Sequence, residues 1–156
     1  MKTKGIEHVT LTVPDVAAAT RFFEQAFQAE ILFDGQTPAY PPVQGPDAEA
    51  IFGMPRNGRM VWRRLLNLGG SNLELFQYDN TPHQSSPHSY DYGITHFAIY
   101  VDDLAQAVHD VEAAGGHAYP VYDSQTDRAS RHYPHQGWAY IETPWDSLIE
   151  LVTFPT

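Results

Sequence analysis

The sequence predicts an α+β protein made of two tandem β-α-β-β-β modules, and three observations predict it. First, the stretch Gly-Ile-Glu-His-Val-Thr-Leu-Thr-Val-Pro-Asp-Val at residues 5 to 16 returns 88 positions later as Gly-Ile-Thr-His-Phe-Ala-Ile-Tyr-Val-Asp-Asp-Leu. Second, Asn-Leu-Glu-Leu-Phe at 72 to 76 is echoed by Leu-Ile-Glu-Leu-Val at 148 to 152. Third, each copy runs from an alternating segment into a helical stripe and ends in alternating segments, so strand and helix periods follow in the same order twice. The boundaries read as a first module at 1–79, a linker at 80–92 and a second module at 93–156.

In the first module, residues 6 to 13 alternate, with Val9, Leu11 and Val13 on one face and His8, Thr10 and Thr12 on the other. That is a strand with one buried face. Pro14 ends it, and Asp15 is placed to cap a helix from Val16 to about Phe27. Val16, Ala19, Phe23 and Phe27 form its apolar stripe. A short strand follows at Ala29 to Phe33. Residues 35 to 59 hold five prolines and four glycines, which predicts a long loop with one helical turn near Asp47 to Phe52. A loop of that length in a compact domain points to function. A strand over Met60 to Leu68, a Gly-Gly-Ser turn and a strand over Asn72 to Tyr78 complete the module.

The linker is polar, holds two prolines and shows no period. The second module opens with a strand from Ile94 to Val101. A helix from about Asp103 to Ala114 ends at Gly115-Gly116. A short strand near Ala118 and a polar loop from Asp123 to Gln136 come next. Strands at Trp138 to Glu142 and Leu148 to Phe154 flank a Thr-Pro-Trp-Asp-Ser turn.

Composition bounds the function. The formal charge is −10, and only nine residues are Lys or Arg. Nucleic acid is not an expected partner, because phosphate binding rests on clustered cations. Charges interrupt every apolar run, so no membrane span is expected. No cysteine is present, which excludes disulfides, thiolate metal sites and a cysteine nucleophile. The first strand begins almost at the start of the sequence, so no leader is expected. A cytoplasmic, reducing setting is expected.

Placed on their strands, His8, Glu74, His96 and Glu150 all point away from the apolar face. If the two sheets curl together, these side chains meet in one cavity and form a metal site. A lone strand histidine is ordinarily just a polar residue, and a lone glutamate a solvated face. The matched recurrence of both in both copies is what singles these four out. Two imidazoles and two carboxylates suit one divalent ion per site: Zn, Ni, Co, Mn or Fe. Four protein ligands leave coordination positions open, as a catalytic site requires. Phe76, Tyr100, Trp138 and Tyr140 read either as substrate-binding lining or as core. His132 and His135 lie in a loop that reads as a lid or as solvated surface, while His83 and His88 fall in the linker.

The segments Gly-Ile-Glu-His-Val-Thr-Leu-Thr-Val-Pro-Asp and Thr-Pro-Trp-Asp-Ser-Leu-Ile-Glu-Leu-Val, in a duplicated β-α-β-β-β frame, resemble the vicinal oxygen chelate superfamily. That group includes glyoxalase I, methylmalonyl-CoA epimerase, fosfomycin-resistance transferases, type I extradiol dioxygenases and bleomycin-binding proteins. The resemblance implies a curled mixed sheet around a metal cavity, with His8, Glu74, His96 and Glu150 as ligands. It further implies a glyoxalase-like isomerase or lyase acting on a small molecule that chelates the metal through vicinal oxygens. The metal would stabilise an enediolate, and a catalytic carboxylate, Glu150 ahead of Glu74, would move the proton. Two alternatives stand beside it. An Fe(II)-dependent extradiol-type oxygenase would lack a carboxylate where Glu74 stands, and a binding or resistance protein would leave two intact ligand pairs unexplained. The His-to-Glu spacing of 66 residues in copy one and 54 in copy two departs from the glyoxalase I pattern, and no glutathione site is recognisable. Relatives of this kind commonly form dimers, so a homodimer is expected.

Overall fold

The computed structural model describes residues 5–84, 86–123 and 137–154. The chain divides into two compact units, 1–24 with 28–83, and 25–27 with 84–156. Each is a mixed sheet with helices, an α+β architecture.

The first unit contains β1 (His8–Thr12), α1 (Val16–Phe27, whose last three residues group with the second unit), β2 (Glu30–Gln36), α2 (Pro46–Phe52), β3 (Arg59–Leu68) and β4 (Ser71–Asp79). Its strand order is β1-β4-β3-β2. β1 runs parallel to β4, and the other neighbours are antiparallel. The second unit contains β5 (His96–Tyr100), α3 (Leu104–Ala113), β6 (His117–Ala118), β7 (Tyr122–Asp123), β8 (Gly137–Glu142) and β9 (Leu148–Thr153). Its order is β5-β9-β8-β6, with β5 again parallel to β9. The first and last strands of each module therefore lie side by side. That topology puts each module's histidine next to its glutamate, however far apart they are in sequence.

Local chemistry explains the element ends. Asp15 and Asp103 cap α1 and α3, each side chain accepting from the backbone N–H three residues on, at 2.9 and 3.0 Å. This satisfies an amide the helix cannot pair. Gly69 and Gly70 turn the β3–β4 hairpin with φ of 59° and 94°, a region open to residues without a Cβ. The hairpin needs only these two residues, and Ser71 already belongs to β4.

The alternation expected of the strands is present. Leu73, Leu75, Ile149 and Leu151 are buried, whereas Glu74 and Glu150 between them are half-buried. α1 buries Val16, Ala19 and Phe23 as its stripe requires, and also Thr20, Phe22 and Ala26. Thr20 tolerates burial because its hydroxyl donates to the Val16 carbonyl at 2.7 Å.

Three features differ from the sequence expectation: β2, expected to end at Phe33, runs on to Gln36, and two lie in module two. The opening strand of module two starts at His96, leaving Ile94 exposed. The short β7 was not expected; it pairs with Trp138 and Gly137 of β8. A Cβ at Gly137 would stand 3.2 Å from the Tyr122 carbonyl oxygen, so this close pairing favours glycine there. Two residues carry no readable period, and only a partner strand defines them.

The proline-rich stretch of module one has structure of its own. Val43 and Met60 exchange both backbone hydrogen bonds, at 3.0 and 2.9 Å. Ala48, Met54 and Met60 form a small buried cluster with Val43, Phe76 and Tyr78 against it. Because Phe76 and Tyr78 alternate with Leu75, this segment packs on the same side of β4 as Glu74.

Candidate metal and substrate site

In module one, His8 of β1 lies beside Asn72 of β4, and Thr10 beside Glu74. The histidine and glutamate are thus diagonal neighbours, with His8 Nε2 3.5 Å from Glu74 Oε2. In module two, His96 lies beside Leu148 and Ala98 beside Glu150. The same diagonal brings His96 Nε2 to 3.4 Å from Glu150 Oε2. Two sequence separations that differ by a whole loop end in one geometry.

That geometry suits a shared metal ion. Two donors each about 2.1 Å from one ion stand about 3.0 Å apart at a right angle and about 3.4 Å apart at a tetrahedral angle. The His96–Glu150 pair, at 3.4 Å, stands at the upper end of that span, and the His8–Glu74 pair, at 3.5 Å, just beyond it. The donors are imidazole nitrogen and carboxylate oxygen, the set that borderline and hard divalent ions accept. Among the described residues no three such side chains come together as a metal-binding group; each unit holds one His–Glu pair.

The surroundings of the pairs differ. Glu74 accepts from the Thr10 hydroxyl at 3.1 Å and has Arg63 Nε at 3.9 Å. Glu7 receives the His8 Nδ1 contact and is itself held by Asn72 Nδ2 at 2.7 Å. The hydrogen bond to Glu7 holds His8 above the usual histidine range, and donation from His8 and Asn72 holds Glu7 below the usual carboxylate range. In module two, Glu150 has no polar partner besides His96 among the described residues. An aromatic wall flanks it. Tyr140 lies beside Glu150 in register, and its ring meets the His96 ring edge-on at 5.1 Å. Burial, with a smaller contribution from the Glu150 charge, pushes the Tyr140 phenol up.

The four expected lining residues are spread differently. Tyr140 is at His96, and Trp138 packs on Tyr140 at 5.2 Å and on Tyr122 at 5.1 Å. Phe76 joins the small cluster under α2, edge-on to Tyr78. Tyr100 is largely exposed, with its ring on Phe154. Of the linker histidines, His83 contacts Thr81 and His88 contacts Asp91. His132 and His135 lie outside the described residues.

Beside the second pair is a half-open cavity of about 470 Å³. It is lined by Tyr119, Tyr140, Glu142, Asp146 and Leu148 together with linker residues 86 to 90. Tyr119 donates to Glu142 at 3.1 Å, and Ser86 bonds to Ser147 at 3.2 Å, tying the linker to the β8–β9 turn. Leu148 is the register partner of His96, so the cavity adjoins the pair. Sequence reasoning missed Glu7, Asn72, Thr95 and the linker residues lining this cavity as site components. Only the recurrence of a polar residue just before each histidine could have flagged Glu7 and Thr95.

Comparison with known proteins decides the family. Residues 5–151 match the model of the Glyoxalase/Bleomycin resistance protein/Dioxygenase superfamily. The chain belongs to this family. It is 31% identical to a 2-epi-5-epi-valiolone epimerase from Actinomyces sp. over 97% of this chain and 80% of that protein. It is 29% identical to the metallothiol transferase FosB of Staphylococcus epidermidis over 64% of this chain and 51% of that one. Among solved structures, a glyoxalase family protein from Bacillus cereus superposes with a TM-score of 0.75 at 17% identity, covering 100% of this chain and 97% of that one. The fosfomycin resistance protein FosX of Listeria monocytogenes, complexed with Mn(II) and 1S,2S-dihydroxypropylphosphonic acid, gives 0.62 at 16% identity, covering 97% and 93%. These structures share the fold. The curated relatives are enzymes acting on small molecules.

Proposed function

We propose that this member of the family is a metal-dependent isomerase of the epimerase type, acting on a small substrate that chelates a divalent ion through adjacent oxygens. The observation that carries the reading is the repeated diagonal pair: each module presents an imidazole Nε2 and a carboxylate oxygen at 3.4 to 3.5 Å. On this reading residues 1–79 and 93–156 are two halves of one catalytic domain joined by 80–92. His8, Glu74, His96 and Glu150 hold one ion of Zn, Ni, Co, Mn or Fe, from one chain or from modules exchanged between two. When bound, the ion supplies positive charge that polarises a chelated carbonyl and makes the adjoining C–H more acidic.

The residues then divide the work. Thr10 and Arg63 fix Glu74 as a ligand. Glu150, restrained among the described residues by His96, takes the proton from the carbon beside the carbonyl and returns it after the carbon has been presented from its other face. The proton count is unchanged, as an isomerisation requires. Tyr140 shields that carboxylate from water. The cavity beside it has carboxylates, hydroxyls and tyrosine rings, which suits a hydroxyl-bearing, uncharged molecule. The relation to an epimerase over nearly the whole chain supports isomerisation over the thiol transfer of the shorter match. Ile31, Leu32 and Phe33 on the exposed edge strand β2 support a homodimer.

The test is metal content by mass spectrometry on untagged protein and on Glu150→Ala, with solvent-deuterium exchange into polyhydroxy ketones. About one ion per chain and exchange at the carbon next to the carbonyl, lost in the variant, are the expected outcomes. Failure to bind any of the five metals after reconstitution would overturn the proposal.

A further inference from the structure

Both metal-pair histidines are preceded by a side chain that reaches back to their other ring nitrogen. Glu7 contacts His8 Nδ1, and Thr95 Oγ1 lies 3.2 Å from His96 Nδ1. These are matching positions of the repeat. Glu7 is further anchored by Asn72 Nδ2 at 2.7 Å, and Asn72 is the register partner of His8. The result is a chain Asn72–Glu7–His8–Glu74 across β1 and β4.

Neutral imidazole carries one proton on one of two nitrogens, and only the other can take a metal. A carboxylate on Nδ1 accepts that N–H, which leaves the Nε2 lone pair facing Glu74 and raises its donor strength. A threonine hydroxyl can donate or accept, and it brings no charge. It therefore selects neither tautomer strongly. Glu7 is 70% exposed and His8 41%, so the contact adds little to folding stability; its effect lies in orientation.

We propose that Glu7, held by Asn72, is a positioning residue that fixes His8 for metal binding and makes the first-module pair the stronger half of the site. The proposal rests on the metal reading above. The third neighbour of this pair, Thr10 on Glu74, has its counterpart in Ala98, which has no hydroxyl. Among the described residues the polar support is thus concentrated on one module.

The test is Co(II) titration by calorimetry and by the visible absorption of the bound ion, on purified full-length protein. The variants are Glu7→Ala, Glu7→Gln, Asn72→Ala, Thr95→Val and His8→Ala. Glu7→Ala is expected to weaken Co(II) binding about 10- to 100-fold and to shift the absorption band, with the apo thermal midpoint unchanged. Glu7→Gln keeps an acceptor carbonyl and should recover part of the loss. Asn72→Ala should fall between wild type and Glu7→Ala, and Thr95→Val should change affinity by no more than a few-fold. Wild-type affinity in Glu7→Ala, with His8→Ala impaired, overturns the positioning role alone. Wild-type affinity in His8→Ala overturns the metal reading along with it.

Discussion

The two modules hold the same pair in unlike settings. Around His8 and Glu74 the neighbours are polar and charged: Glu7, Asn72, Thr10 and Arg63. Around His96 and Glu150, among the described residues, they are Thr95 and the Tyr140 ring, with Trp138 packed on it. Polar support restrains a ligand; an aromatic wall excludes water and leaves a carboxylate free to move. On the proposed reading the first pair holds the ion and the second carries the chemistry.

The largest expected effects come from exchanging carboxylate for amide in each pair. Glu150→Gln should lower kcat about 10²- to 10⁴-fold while metal content holds, measured by steady-state turnover beside metal analysis. Glu74→Gln should instead lower metal affinity first. Equal loss of metal in both variants would abolish the proposed division.

A second comparison uses matched core positions. Leu75 and Leu151 are fully buried beside their glutamates. Truncating either to alanine should cost about 2–5 kcal/mol, read by urea unfolding. Two separated transitions, each moved by only one variant, would show that the modules unfold independently.

A third concerns charge, where the modules differ most. Arg64 grips Asp34 through two hydrogen bonds of 2.8 and 2.9 Å, and Trp62 adds a third at 2.9 Å. Arg64 also reaches Thr20 of α1 at 3.2 Å. The Arg64 bonds hold the Asp34 carboxyl below its ordinary range despite partial burial. A lowered pKa means the contribution is full above the ordinary carboxylate range and is lost as pH falls through the depressed value. Asp34→Asn should therefore cost about 1–2 kcal/mol near neutrality and nothing in strong acid. Chemical denaturation at a series of pH values checks this, and a constant difference at every pH would refute it.

The smallest effect is expected at Gly35. A Cβ there would stand 2.3 Å from the Arg63 guanidinium, the flexible end of a long side chain. Gly35→Ala should displace Arg63 from Glu74 at a cost below about 1 kcal/mol, visible as a change in metal affinity rather than in the unfolding midpoint.

Much of the fold was legible because it rests on local periods. The strand alternation through Leu73, Glu74 and Leu75, the Asp15 cap and the Gly69-Gly70 turn each follow from a few adjacent residues. The segment 43 to 60 was less legible. Its order comes from the Val43–Met60 exchange and from Phe76 and Tyr78, which stand far along the chain. Tyr140 could be placed on the right face of its strand, but not against His96.

By itself the sequence determined the duplication, the α+β class and the face on which His8, Glu74, His96 and Glu150 stand. A repeated motif and a period of two suffice for these. Only the tertiary structure decided that each histidine meets its own module's glutamate along a diagonal, because β1–β4 and β5–β9 pair residues 64 and 52 positions apart. It also decided which side chains flank each pair, Arg63 across β3 and Tyr140 across β8. Periodicity assigns a residue to a face; strand order and register assign its neighbours, and those are set by long-range pairing.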